Sequence, residues 1–270
     1  MVEARIFWLR VAACLYAVGL LHALLATLRA GQNIFSFAMN AFRLGVMLQG
    51  VAIVDQWLAH GRIPLDNPYQ ALSLCAFLTA VTFIATERRY DFGGAAVAIF
   101  PFVFAMTMGA TLEQRAGGET GMRDFWLVMH ILLVVAAYAA LVFMALSAVA
   151  YLIQERRLKN RQGSALLERL PPLATLDAML SKSLSLGFAL LTLGLIFSIM
   201  WALIYLPASW MRNPNIVISI LTWALLLVML FLRSSAGWRG RKAAVMALVV
   251  LGCSALTWVT HARLEAVLAP

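Results

Sequence analysis

The sequence predicts an all-α protein, a polytopic membrane helix bundle with about eight transmembrane helices. Of its 270 residues, 63% are hydrophobic and only 12% are charged, whereas a soluble domain carries roughly a quarter charged residues. The apolar residues fall into eight runs, and a helix needs about 20 such residues to cross a bilayer. We therefore expect a single membrane domain over residues 1–270, without a sizeable soluble part.

The predicted spans follow one another along the chain, with short connections between most of them. The first run is too long for the core of a signal peptide, so it is predicted to be a retained helix. The third and fourth runs are short and contain threonine or glycine. In chain order the predicted spans are residues 6–28, 37–58, 69–85, 95–112, 125–153, 184–206, 216–232 and 243–261.

Basic residues in the connections predict how the helices are oriented. Basic clusters follow the third span at 88–89, the fifth at 156–161 and the seventh at 239–242. With eight spans these connections share one side, which the positive-inside rule makes cytoplasmic. Both termini are then periplasmic, and the protein is expected in a bacterial inner membrane. The net charge of +9 is explained by basic residues in these loops, where they contact anionic lipid. Nucleic acid is therefore not an expected partner.

The longest predicted connection is the cytoplasmic segment 154–183. Leucines at 166, 167, 170 and 173 have helical spacing, and Pro171-Pro172 interrupts the segment. This pattern is typical of a short amphipathic helix on the membrane surface. A plain linker explains the segment equally well.

Two histidines mark a candidate metal site on the predicted periplasmic side. His130 opens the fifth span and His261 closes the eighth. Two neutral imidazoles on opposite faces of a macrocycle commonly hold haem iron, so His130 and His261 are the predicted axial ligands of a haem, taken as haem b. The alternative is that each ring is an interfacial side chain at the level of the lipid headgroups.

The other two histidines are secondary candidates for cofactor binding. His60 ends the second span, and Asp55 precedes it on the same helix, where a carboxylate could orient the imidazole. A histidine at a helix C-terminus, favoured by the helix dipole, is the alternative. His22 lies inside the first span, and an ionisable residue there is a functional candidate. A hydrogen-bonded histidine packed on a neighbouring helix is the more conservative interpretation.

A haem on this side would need partners for its propionates and its flat faces. Arginine pairs with carboxylates in a bidentate geometry, and Arg123 and Arg212 are candidates for that role. Trp210 lies in an aromatic loop between the sixth and seventh spans, where a flat ring could stack on the macrocycle. Headgroup pairing of the arginines and an interfacial aromatic belt remain the alternatives.

Several ordered motifs resemble a known family. They are Asn67-Pro68-Tyr69, the segment 126–130 ending in His130 and followed by Tyr138-Ala139-Ala140-Leu141, Thr222-Trp223, the segment 237–244 and His261. Together they resemble the cytochrome c assembly proteins of the haem-handling superfamily (CcsA, CcmC and HemX-like). The resemblance covers the chain from about residue 60 to its end.

The resemblance implies haem binding at the outer face, with His130 and His261 as the axial pair. In the synthetase-type members a tryptophan-rich loop presents haem to apocytochrome c. The acidic signature of that loop is not intact here, because Asn213 stands where the family has aspartate. The histidine that larger members carry in the next helix appears here as Phe231. The small HemX-like branch is therefore the closer match.

The sequence thus predicts a haem-binding membrane protein that assists cytochrome c maturation or haem handling. Its expected partners are haem, lipid and either apocytochrome c or other maturation proteins. No nucleophile or carboxylate pair indicates catalysis by the chain alone, so a binding and delivery factor is expected rather than an enzyme. A small-solute transporter, or a regulatory or assembly subunit of tetrapyrrole metabolism, are the alternatives.

Overall fold

The computed structural model describes residues 2–29, 32–61, 65, 67–90, 93–112, 124–160, 170–205 and 214–268. Within these ranges the side chains of 2–5, 27–29, 32, 60, 90, 93, 214–215 and 256–268 lie outside the description.

The described residues form eight α-helices and one 3-10 turn, with no β-strand among them. This confirms the predicted all-α, polytopic helix bundle. The helices are α1 (Val2–Arg29), α2 (Gln32–His60), α3 (Pro68–Tyr90), α4 (Ala96–Ala110), α5 (Phe125–Asn160), α6 (Leu173–Tyr205), α7 (Pro214–Ser235) and α8 (Arg241–Leu268), and the 3-10 turn Gly93–Ala95 precedes α4.

Six helices in the described part of the chain are long and apolar enough to cross a membrane, namely α1, α2, α3, α5, α6 and α7. Helix α4 is apolar but has only 15 residues, with Pro101 in its interior. The eighth predicted span, 243–261, lies within α8, whose described side chains end at residue 255.

The connection predicted at 154–183 is shorter in the structure than in the sequence prediction. Helix α5 continues to Asn160, and α6 begins at Leu173, directly after the two prolines, rather than at 184. The added turns of α6 bury Leu176 and Leu180, so apolar packing stabilises them although Asp177 and Lys182 interrupt the apolar run. The predicted amphipathic helix falls largely on 161–169, outside the described residues.

The chain divides into two compact units, which are described separately. The first contains residues 1–121 and 153–172, and the second contains 122–152 and 173–270. In the first unit α1 packs against α2 and α4, and α3 packs against α2 and α4. Its core holds a stacked pair, Phe42 and Phe100, whose ring centroids are 4.1 Å apart.

A buried polar chain also joins three helices of the first unit. The Tyr16 hydroxyl donates to Gln49 Oε1 at 2.7 Å, and Gln49 Nε2 donates to the Ser73 carbonyl at 3.0 Å. Tyr16 and Gln49 are fully buried, so these hydrogen bonds offset the desolvation of groups that would otherwise be unsatisfied. The chain fixes α1, α2 and α3 at one level.

In the second unit α5, up to residue 152, packs with α6, α7 and α8. Its core combines residues of all four helices, including Leu141, Leu184, Leu226 and Ala247. Helix α7 packs against both α6 and α8. The candidate site lies in this unit, on α5 and α6.

Candidate functional site

Helix α5 begins one turn before His130, and Asp124 defines that beginning. The Asp124 carboxylate accepts the backbone N–H of Trp126 at 3.1 Å, and its carbonyl accepts the N–H of Val128. A side-chain oxygen at this position satisfies a donor that the first helical turn leaves unpaired. His130 is therefore held on a capped, regular stretch of helix.

The imidazole of His130 is oriented by a backbone carbonyl of the neighbouring helix. Its Nδ1 lies 2.8 Å from the carbonyl oxygen of Gly194 in α6. A carbonyl oxygen only accepts, so Nδ1 is the donor and carries the proton. In the neutral ring the lone pair is then on Nε2. The ring is half-buried.

Two glycines of α6 bring its backbone close to α5. A Cβ at Gly194 would lie 3.0 Å from Val134 Cγ2, and one at Gly187 would lie 2.9 Å from Leu141 Cδ2. Gly187 and Gly194 are two turns apart and face the same helix. Small residues permit such close approach between membrane helices, and here the approach places the Gly194 carbonyl within reach of His130.

Aromatic rings flank the His130–Gly194 contact. Trp126, one turn before His130, has its ring centroid 5.5 Å from that of Phe197, one turn after Gly194. Phe125 lies 6.2 Å from the same Phe197 ring. Flat aromatic rings thus lie one turn away from both partners of this contact, on α5 and on α6, and such rings commonly line cofactor pockets.

The donor chemistry at His130 fits a haem iron. Histidines that bind metals usually donate their other ring N–H to a carboxylate, a backbone carbonyl or water, and His130 makes such a bond. Among the described residues, no three histidine, cysteine, aspartate or glutamate side chains cluster as ligands of a bare ion. Haem needs only axial ligands from the protein, so a single oriented histidine is a suitable half of such a site.

For the other predicted ligands the structure describes at most the position in a helix. His261 lies in α8 and His60 is the last residue of α2, but both side chains are outside the described set. The remaining predicted contacts, Arg123, Trp210 and Arg212, lie outside the described residues altogether. The pairing of His130 with His261 stays a prediction.

The structure describes the side chains of two secondary candidates in the first unit, His22 and Asp55. His22 Nδ1 lies 2.8 Å from the carbonyl oxygen of Val18, one turn earlier in the same helix. Its ring centroid is 4.6 Å from that of Phe37 in α2. Asp55 is exposed on α2. His22 is therefore oriented by its own helix, whereas His130 is oriented by a second one.

The sequence pattern did not indicate an ion-pair cluster that lies at one end of the second unit, around Arg233. Arg233 Nη2 donates to Asp177 Oδ2 at 2.6 Å, and its Nε donates to Ser181 Oγ at 2.9 Å. The backbone N–H of Gly240 donates to Asp177 Oδ1 at 3.0 Å. One carboxylate thus connects α6 with the end of α7 and the start of α8.

Gly240 is required by the backbone at that connection. Its φ is +65°, and a Cβ there would lie 2.8 Å from the Tyr151 hydroxyl oxygen. The signal that could have identified the cluster is an acid, Asp177, among leucines at helical spacing, because an acid in an apolar helix needs a partner.

Comparison with known proteins supports the family resemblance seen in the sequence. The family described as "Cytochrome C assembly protein" matches residues 11–260. A protein named cytochrome c biogenesis protein CcsA from Parasynechococcus marenigrum is 26% identical over 234 residues, which cover 77% of this chain and 77% of the relative. Its namesake in Microcystis aeruginosa is 28% identical over 265 residues, covering 75% of this chain and 80% of the relative.

A third relative gives a similar match. The protein of the same name from Chlamydomonas reinhardtii is 25% identical over 233 residues, covering 80% of this chain and 64% of the relative. The family match reaches into all eight helices, from α1 to α8. On this evidence, the chain belongs to the cytochrome c assembly protein family.

Proposed function

We propose that this chain holds haem at the periplasmic face of a bacterial inner membrane, with His130 as one axial ligand and His261 as the other. As a member of the cytochrome c assembly family, it is a membrane protein of cytochrome c maturation. The proposal adds the ligands, the side of the membrane and the cofactor type, haem b. Apocytochrome c or another maturation component is the proposed recipient.

The observation that carries the proposal is the hydrogen bond from His130 Nδ1 to the Gly194 carbonyl, at 2.8 Å. It assigns the proton to Nδ1 and the lone pair to Nε2, which is the tautomer that an iron ligand at Nε2 requires. The bond also restricts rotation of the ring, because donor and acceptor belong to different helices. His130 is therefore oriented before any cofactor arrives.

The surroundings of His130 support a macrocycle over a small polar substrate. Trp126 and Phe197 lie one turn away on α5 and α6 and contact each other. We assign the propionates to Arg123 and Arg212 and a stacking contact to Trp210, while His60, His22 and Asp55 stay secondary candidates. Haem supplies the redox chemistry when bound, and the chain binds, orients and releases it.

The closeness to the small HemX-like branch belongs to the same proposal. That branch is tied to haem supply, so the chain would deliver haem without catalysing its attachment. The degenerate acidic loop signature, with Asn213 in place of aspartate, supports delivery over a full synthetase activity.

The test is the haem content of protein purified from a haem-replete host. We expect a Soret band in the wild type, with most of it lost in both His130→Ala and His261→Ala. Leu186→Ala, at an exposed apolar position of α6, is the control and should keep the wild-type haem content. His22→Ala separates the secondary candidate from the axial pair, because its imidazole bonds within its own helix, and it should lose less haem than either axial variant. A colourless but folded wild type, or full haem retention in His130→Ala, would overturn the proposal.

A further inference from the structure

The carbonyl of Gly194 has an unusual position for a helix-interior oxygen, because it accepts a hydrogen bond from a side chain of another helix. It lies well inside α6 and receives His130 Nδ1 at 2.8 Å. A carbonyl oxygen has two lone pairs, so it can take this donor in addition to the backbone N–H of the next helical turn. We propose that Gly194 is the positioning residue that determines which nitrogen of His130 meets the iron.

Glycine is the residue that makes this contact possible. A Cβ at position 194 would lie 3.0 Å from Val134 Cγ2 and 3.5 Å from Leu133 Cβ. Valine is branched at Cβ and has few rotamers in a helix, so its methyl group cannot move far. A side chain at 194 would instead move α6 away from α5.

That displacement would act directly on the hydrogen bond. Val134 lies one turn after His130 on α5, so the helices would separate at the level of the imidazole. An N–H···O bond weakens beyond about 3.2 Å, which leaves only a few tenths of an ångström before the Gly194 carbonyl ceases to hold the Nδ1 proton.

The chemical consequence concerns the ligand and rests on the proposed function of His130. A carbonyl that accepts the Nδ1 proton orients the ring and raises the basicity of Nε2. A more basic ligand stabilises ferric over ferrous iron. Loss of the contact should therefore raise the midpoint potential of the bound haem and alter its electron paramagnetic resonance (EPR) spectrum.

The first arm of the experiment needs no haem. Protein labelled with 15N-histidine is studied in detergent by NMR, and the His130 signals are assigned from their absence in His130→Gln. We expect a neutral His130 protonated at Nδ1 in the wild type and loss of that single tautomer in Gly194→Ala. Gly187→Ala is the matched control, since it adds the same methyl group to the same seam two turns away, where the nearest atom is Leu141 Cδ2 at 2.9 Å, the end of a flexible side chain that can move aside. It should keep the wild-type tautomer.

The second arm separates a specific effect from misfolding. Val134→Ala removes the methyl group that the new Cβ would meet, and the next contacts at 3.5 and 3.6 Å are ordinary packing distances. The double variant Gly194→Ala/Val134→Ala should therefore restore the Nδ1-protonated ring and the wild-type EPR spectrum. A Gly194→Ala protein that keeps the Nδ1-protonated tautomer, or a folded double variant that does not regain it, would overturn the inference.

The two proposals fail in different ways. If His130→Ala keeps its haem while the tautomer responds to Gly194→Ala as expected, the haem assignment is wrong and the positioning contact stands. If His130→Ala loses its haem while Gly194→Ala leaves both tautomer and EPR spectrum unchanged, the haem assignment stands and Gly194 has no positioning role.

Discussion

Replacing Arg233 by methionine tests the ion pair that joins α6 and α7 in the second unit. The Arg233 side chain is 9% exposed and that of Asp177 is 18% exposed. Besides the two bonds to Ser181 and Asp177 Oδ2 given above, the guanidinium donates to Asp177 Oδ1 at 3.2 Å and to the Asp177 carbonyl at 3.0 Å. Methionine keeps much of the apolar stem and removes all these donors.

The size of the effect follows from what the substitution leaves behind. Removing one member of a buried ion pair costs about 3–5 kcal/mol, because the remaining charge is buried without compensation. Asp177 keeps the Gly240 N–H at 3.0 Å and some contact with solvent. We therefore expect the low end for Arg233→Met, a loss of about 3 kcal/mol in the free energy of unfolding.

The assay is unfolding in mixed micelles by titration with sodium dodecyl sulfate, followed by circular dichroism. Arg43→Met is the comparison, since Arg43 Nη2 donates to Glu87 Oε2 at 3.0 Å and the arginine side chain is 37% exposed, although that of Glu87 is 18% exposed. We expect this partly exposed pair to contribute less than the Arg233–Asp177 pair, about 1 kcal/mol. Adding Asp177→Asn to Arg233→Met removes the isolated charge and should recover part of the loss.

Two results would show that the buried charge of Asp177 does not cause the loss of stability. One is an Arg233→Met protein that loses no more stability than Arg43→Met, because the pair with the buried arginine would then contribute no more than the pair with the partly exposed one. The other is a double variant that is less stable than Arg233→Met, because the uncompensated carboxylate would then not be the cause of the loss.

Two further predictions concern packing and a buried hydrogen bond, both measured by the same titration. Gly45→Ala would place a Cβ 2.8 Å from Tyr16 Cε1, and overpacking should lower the free energy of unfolding by about 1–3 kcal/mol. Gly252→Ala is the control, because its Cβ would have nothing within 4 Å, and it should be neutral or stabilising. Equal effects of the two variants would contradict the packing argument. Trp223→Phe removes the Nε1 donor to Thr192 Oγ1 at 2.9 Å and should lower the free energy of unfolding by about 1 kcal/mol. Trp57→Phe, at a site that is 52% exposed, is the control and should have no such effect. An unchanged stability of Trp223→Phe would show that the hydrogen bond contributes nothing.

The sequence predicted most of the helices because their apolar runs are long enough to be recognised without knowledge of their neighbours. It failed at the beginning of α6, where Asp177 and Lys182 interrupt the apolar pattern. Those residues are compatible with a helix because Asp177 has a partner, Arg233, that lies 56 positions away in sequence. A window of local composition does not contain such a partner.

Of the two residues that form the candidate site, one could be predicted from the sequence and the other could not. His130 could be identified because an imidazole is unusual at the start of an apolar helix. Gly194 could not, since a glycine in an apolar run has no distinct signal until the helix that packs against it is known. Its role depends on how α6 packs against α5, where Val134 and Leu141 lie close to the glycines of α6.

Low-temperature EPR of the ferric protein tests whether an oriented His130 ligates haem together with His261. The wild type is expected to give a low-spin spectrum with two histidine ligands, and His130→Ala should give a high-spin signal or no haem. A low-spin, two-histidine spectrum that persists unchanged in His130→Ala would show that His130 is not an axial ligand.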